Sequence, residues 1–120
     1  MTVMDTGTDT IICGIEDNVA YVVLNRPEAR NAMSREMMDN MGDVFTSLEL
    51  NREVRCVVLT GAGKGFCAGG DVRAVRQSLI EHEGVGVSDL AKNFFYEEYI
   101  LNHQIHNCSK PYIALIDRVC

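Results

Sequence analysis

Five glycines fall between positions 61 and 70 of the stretch Leu59-Thr60-Gly61-Ala62-Gly63-Lys64-Gly65-Phe66-Cys67-Ala68-Gly69-Gly70-Asp71-Val72. An apolar run, Val54-Arg55-Cys56-Val57-Val58-Leu59, precedes it, and an amphipathic segment follows. A glycine-rich turn from strand to helix can aim backbone N–H groups into a pocket, because glycine reaches conformations that other residues avoid. Two kinds of chemistry use that arrangement: phosphate binding and the holding of an oxyanion.

Three readings of the turn compete. Gly65 and Gly70 have the spacing of a nucleotide P-loop, but Asp71 stands where a lysine must meet the phosphates. A carboxylate there repels them, which excludes this reading. Gly63-Lys64-Gly65-Phe66-Cys67-Ala68 fits a loose dinucleotide fingerprint, G-x-G-x-x-A. That motif needs an acid at the end of a second strand about twenty residues on. Glu81 and Glu83 have the distance but follow a helix directly, with no strand between. A dinucleotide-binding oxidoreductase stays open on these residues. In the third reading Ala68, Gly69 and Gly70 are small enough for a ligand carbonyl to lie against the backbone. Asp71 then caps the next helix, and the helix's positive end adds to the field at Gly70. One oxyanion donor is worth roughly 3–4 kcal/mol, about 10²–10³ in rate.

Other chemistry-bearing residues have plainer readings. His103 and His106 sit three apart with Cys108 near, as polar helix-surface residues would. Cys13, Cys56, Cys67, Cys108 and Cys120 have no CxxC spacing, so they read as reduced thiols and not as a zinc site or disulfide framework. Cys67 reads as a small packing residue.

The elements that must position the turn follow from periodicity. Residues 11–16 and 19–25 read as two strands around an Asp17-Asn18 turn. The near-continuous apolar run Val19–Leu24 suggests a strand covered on both faces. Pro27 fixes the loop Asn25–Asn31. Ser34 is a candidate N-cap with Glu36 in the first turn, and the helix it opens runs to about residue 49 on Met37, Met41, Val44, Phe45 and Leu48. The strand Val54–Leu59 feeds the glycine turn. A second helix after Asp71 sets Val72, Val75 and Leu79 on one face. Glu81–Ser88 reads as a polar loop, 90–107 as a longer helix, and Pro111 opens a last strand, Tyr112–Ile116. Strands alternating with helices imply an α/β fold with a largely parallel sheet.

The 120 residues are enough for one small domain. A net charge of −6 without any basic run argues against nucleic acid or an anionic membrane as partner. Residues 1–10 carry two acids and no Arg or Lys, unlike a secretory signal or a presequence. A soluble protein of a reducing compartment is expected, with cytoplasm, mitochondrion and peroxisome left open.

Three ordered segments carry a family resemblance. Leu24-Asn25-Arg26-Pro27-Glu28-Ala29-Arg30-Asn31-Ala32, then Val57-Val58-Leu59-Thr60-Gly61-Ala62-Gly63, then Phe66-Cys67-Ala68-Gly69-Gly70-Asp71 resemble the enoyl-CoA hydratase/isomerase (crotonase) superfamily. Phe94-Phe95-Tyr96-Glu97-Glu98-Tyr99-Ile100-Leu101-Asn102 and Ser109–Ile116 resemble its 3-hydroxyisobutyryl-CoA hydrolase branch. The resemblance implies stacked ββα units that bind an acyl-CoA and hydrolyse its thioester, a step of valine degradation. It implies no separate cofactor, since coenzyme A belongs to the substrate, and it allows self-association of the full-length protein. The Gly70 N–H would be the first oxyanion donor. The backbone of Ala68 and of Asp71-Val72 would border the thioester arm. Ala29, Arg30 and Ala32 would line the adenine and pantetheine side, with Arg26 and Arg30 as candidates for phosphate contact. Glu98 would meet the acyl hydroxyl.

The pattern departs at Arg118, where the family has glycine, and Val119-Cys120 follow. The family's second oxyanion donor and its acid/base carboxylates would come later. The expectation is therefore the N-terminal part, residues 1–120, of a single crotonase-like domain, inactive alone. An enoyl-CoA hydratase/isomerase and a non-catalytic interaction fragment of a crotonase oligomer are the other readings.

Overall fold

The computed structural model describes residues 1–81 and 89–117. Five strands and three helices form an α/β unit: β1 Thr2–Met4, β2 Ile11–Glu16, β3 Val19–Leu24, α1 Arg35–Leu50, β4 Cys56–Gly61, α2 Arg73–Glu81, α3 Asp89–His106 and β5 Tyr112–Ala114. A 3₁₀ turn, Pro27–Ala29, lies between β3 and α1.

The sheet has the order β1-β2-β3-β4-β5. Pairing is antiparallel through β1, β2 and β3 and parallel from β3 to β4 and β4 to β5, so the sheet is mixed, with its parallel part in the second half. The β2–β3 hairpin closes on Asp17 and Asn18, both with positive φ (51° and 68°), the conformation a two-residue hairpin turn requires. β1 was not expected, because three residues of mixed polarity leave no periodic signal.

β3 is fully buried on one face and only partly covered on the other, where Val19 and Val23 are half-buried. Ala20, Val22 and Leu24 are buried, while Tyr21 between them is exposed. The expectation of cover on both faces fails because no described helix lies over the Tyr21 side. The strand buried along its length is β4, where Val57, Val58 and Leu59 are all buried. It begins at Cys56, two residues later than expected, and extends through Thr60 into Gly61, so the first glycine of the turn is still sheet.

The core lies between one sheet face and α1. Ile11, Cys13, Ala20, Val22, Leu24 and Val57 meet Met37, Met41, Val44, Phe45 and Leu48 there. Burial pushes the Cys13 thiol pKa up. Ser34 caps α1 by accepting from the Met37 N–H at 3.2 Å. The far end of α1 has no basic residue of its own. Lys110 supplies one, its Nζ donating to the Leu48 and Asn51 carbonyls at 2.6 Å each.

α3 packs along α1. Gln104 Nε2 donates to the Gly42 carbonyl at 2.9 Å, and Arg35 holds Glu97 in a two-pronged ion pair at 2.8 and 2.9 Å. This pairing brings α3 back across the chain to the glycine turn. In α2 the expected stripe divides: Val75 is buried, but Val72 and Leu79 are 53% and 41% exposed, and Ser78 is the second buried residue. At the β5 edge Ile113, Leu115 and Ile116 stand exposed. The positions 82–88 and 118–120, including Glu83, Arg118 and Cys120, lie outside the described residues.

Candidate functional site

The site is built by lashing two turns together. One is the 26–33 turn after β3; the other is the 62–71 turn after β4. The Ala68 N–H donates to the Arg30 carbonyl at 3.0 Å. The Met33 N–H donates to the Gly69 carbonyl, and the Asp71 N–H to the Met33 carbonyl, each at 2.8 Å. These last two bonds make a short parallel bridge between Met33 and Gly70.

Among residues 68–71 this bonding leaves one donor. The Ala68 N–H is used by the Arg30 carbonyl and the Asp71 N–H by the bridge, and that of Gly69 faces the Cys67 Sγ at 3.4 Å. The Gly70 N–H donates to no acceptor among the described residues. A partly buried amide with no protein partner can take water or a ligand carbonyl oxygen as its acceptor.

α3 faces this amide. A Cβ placed on Gly70 would lie 3.0 Å from Cζ and 3.2 Å from Cε1 of Phe94, and 3.3 Å from Oε1 of Glu98. Glycine is needed here for close approach. The expected donor and the expected acyl-binding carboxylate are thus brought together from positions 28 residues apart. A small cavity of about 150 Å³ opens beside them, lined by Ser34, Arg35, Asp71, Ala74, Leu90 and Phe94. A larger apolar groove of about 510 Å³, lined by Val72, Val75, Arg76, Leu79, Ile80 and Phe95, lies between α2 and α3.

Asp71 is held by two arginines. Its Oδ2 accepts from Arg26 Nη1 at 2.8 Å and from Arg73 Nη2 at 2.9 Å, and its Oδ1 accepts from the Arg73 N–H at 3.2 Å. The Arg73 hydrogen bonds, helped by Arg26 and opposed by partial burial, hold this carboxyl well below the usual carboxylate range. It therefore satisfies the first N–H of α2, one residue further from the helix than a standard cap. Arg26 also donates to the Ala32 carbonyl at 3.0 Å. An expected phosphate contact for Arg26 has to compete with this internal pairing.

The other expected residues are placed as follows. Ala29 and Ala32 are half-buried in the 26–33 turn, and Arg30 is exposed with a φ of 52°. Ala68 is exposed, with its N–H committed to Arg30. Val72 is exposed on the apolar groove. The dinucleotide reading needs a helix directly behind its glycines, whereas α2 begins only at Arg73. Glu81, its candidate acid, closes α2 instead of ending a strand.

Sequence reasoning passed over Asn31. It is fully buried, with a φ of 59°. Its Nδ2 donates to the carbonyls of Ala62, Gly65 and Phe66 at 2.9, 2.8 and 3.1 Å, and its Oδ1 accepts from the Arg26 N–H at 2.8 Å. A buried asparagine in this conformation carries a weak signal, since asparagine is among the few residues that tolerate it.

Comparison with known proteins places the chain in a family. A family model described as enoyl-CoA hydratase/isomerase matches residues 19–120. The chain is 43% identical over 99 residues to the mitochondrial 3-hydroxyisobutyryl-CoA hydrolase of Xenopus laevis, covering 82% of this chain and 24% of that protein. The Mus musculus protein of the same name is 37% identical over the same shares. The chain thus spans about a quarter of the length of the curated relatives it matches. Among solved structures, a carnitinyl-CoA dehydratase from Mycobacterium thermoresistibile superposes with a TM-score of 0.80 at 35% identity, over 93% of this chain and 32% of that one. An enoyl-CoA hydratase/isomerase from Marinobacter aquaeolei gives 0.78 at 30% identity, over 91% and 41%.

Proposed function

The chain belongs to the enoyl-CoA hydratase/isomerase family, and on that premise we propose that the whole protein is a 3-hydroxyisobutyryl-CoA hydrolase, of whose single domain residues 1–120 form the N-terminal part. The observation that carries the reading is the Gly70 N–H, without an acceptor among the described residues, beside the Glu98 carboxylate. The names of the Xenopus and mouse relatives agree with it.

In this reading the thioester carbonyl oxygen accepts from Gly70. Water adds to the carbonyl carbon, and the oxygen gains negative charge as the tetrahedral intermediate forms. Backbone bonds on either side hold Gly70 in place, so its donor needs little reorganisation, which is where its stabilising effect comes from. The C–S bond then breaks, the sulfur leaves as the thiol of coenzyme A after taking a proton, and the free hydroxy acid remains. Glu98 accepts from the acyl hydroxyl and sets the acyl group in register with Gly70. The proposal also needs a second oxyanion donor and a carboxylate that activates the water, neither of which the family resemblance assigns to residues 1–120. Coenzyme A enters with the substrate, and no separate cofactor takes part in the proposed steps.

The test is turnover by the full-length protein. Release of thiol from 3-hydroxyisobutyryl-CoA, together with little hydration of an unsaturated acyl-CoA, is the expected result. Efficient hydration without hydrolysis would assign the protein to the hydratase side of the family instead.

A further inference from the structure

We infer that Asn31 is a positioning residue for the oxyanion donor, an assignment that rests on the proposed role of Gly70. Asn31 lies between the two turns that make the site and is fully buried. Its single carboxamide nitrogen serves three carbonyls of the glycine turn, at Ala62, Gly65 and Phe66. Its oxygen takes the Arg26 N–H, which pins the other turn. Among the described residues no backbone donor bonds these three carbonyls. Without the carboxamide they would lack their shared partner, in a place where unpaired polar groups are disfavoured.

The surroundings are fitted to this one side chain. A Cβ on Gly61 would fall 2.8 Å from Asn31 Nδ2 and 2.9 Å from the Gly65 carbonyl oxygen, so the end of β4 is bare backbone where the carboxamide sits. The positive φ of Asn31 turns the chain so that Arg30 just before it and Met33 two residues after it bond Ala68, Gly69 and Asp71. Asn31 thus fixes the first half of the glycine turn by its side chain, and its own turn fixes the second half by backbone. The Gly70 N–H is left without an acceptor among the described residues. Small displacements of such a donor are expensive in rate, with about 1 Å costing on the order of 10²-fold.

The test uses the full-length protein with Asn31→Asp, which keeps the shape and the acceptor but sets an anion against three carbonyls. Asn31→Gly, which tolerates the positive φ and leaves room for water, is the second variant. For Asn31→Asp a loss of about 100-fold in kcat with KM nearly unchanged is expected. The loss should be partly reversed as the pH falls and the new carboxyl, protonated, donates again, a recovery the unmodified protein does not show. Amide hydrogen exchange at Ala68 and Asp71 should speed up while the helices stay protected. Folded variants that keep both kcat and this protection would overturn the inference. Collapse of both variants would overturn it too, since the carboxamide would then hold the fold and not the turn. Absence of 3-hydroxyisobutyryl-CoA turnover in the unmodified protein would overturn the proposed substrate alone, because the exchange measurement needs no substrate.

Discussion

The Glu98 carboxylate lies against Gly70, its Oε1 3.3 Å from the point a Cβ on that glycine would occupy. A helix residue and a loop backbone amide thereby share one small volume, with the Phe94 ring closing the third side. The donor and the acceptor of the proposed mechanism are thus set at short range.

Gly70→Ala should therefore damage activity more than folding. The added methyl would press on Phe94 and Glu98 and push the amide out of line. In the full-length protein kcat should fall by about 10²–10³-fold, the scale of one lost oxyanion donor. Thermal melting and thiol-release kinetics on the same preparation check this; a variant within a factor of two of the unmodified kcat would contradict it.

Glu98→Ala should act on discrimination. A site built to bond a substrate hydroxyl rejects the analogue that lacks it, and removing the acceptor removes the preference. The ratio of kcat/KM for 3-hydroxyisobutyryl-CoA over isobutyryl-CoA should drop by at least ~10-fold. Equal losses on both esters would mean that Glu98 does not read the hydroxyl.

Asp71 makes the site sensitive to acid. Its folded pKa is depressed, mainly by Arg73 and then by Arg26, against an unfolded value of about 3.9. A depressed carboxyl stabilises the fold fully above the unfolded pKa and loses that contribution as the pH falls through the folded one. The stability gap between the unmodified protein and Asp71→Asn should thus be constant above pH ~5 and shrink in stronger acid. Denaturant midpoints across the acid range give the curve. A gap that widened on acidification would refute the ion-pair account. Arg26→Met should cost more stability than Arg73→Met, because Arg26 is 19% exposed and Arg73 is 73% exposed and screened by water.

Lys110→Met should lower stability by about 1–2 kcal/mol, since it removes a cation and two hydrogen bonds from the carboxyl end of α1. Activity at low temperature should be unchanged, because Lys110 lies at the opposite end of α1 from the site. Chemical denaturation checks the first statement and thiol release the second.

The features settled by local rules could be read from the residues alone. Asp17-Asn18 made the hairpin, Ser34 and the spacing of Met37, Met41, Val44, Phe45 and Leu48 made α1, and α3 came within a residue of its expected ends. The ordered segments around Asn25, Gly61 and Gly70 identified the family and the candidate donor. Periodicity and capping act over a few residues, and so they are written in the order of the chain.

Tertiary structure decided which of these residues meet. Only the packing of α3 along α1 put Glu98 beside Gly70, and only the joining of two turns buried Asn31 under three carbonyls from residues 31 to 35 positions away. It also gave Arg26 to Asp71, divided the apolar stripe of α2 between core and groove, and left the Tyr21 side of β3 only partly covered. Whether a polar group is satisfied depends on which backbone groups the sheet leaves unpaired nearby. That is a property of the folded arrangement, and no spacing along the chain records it.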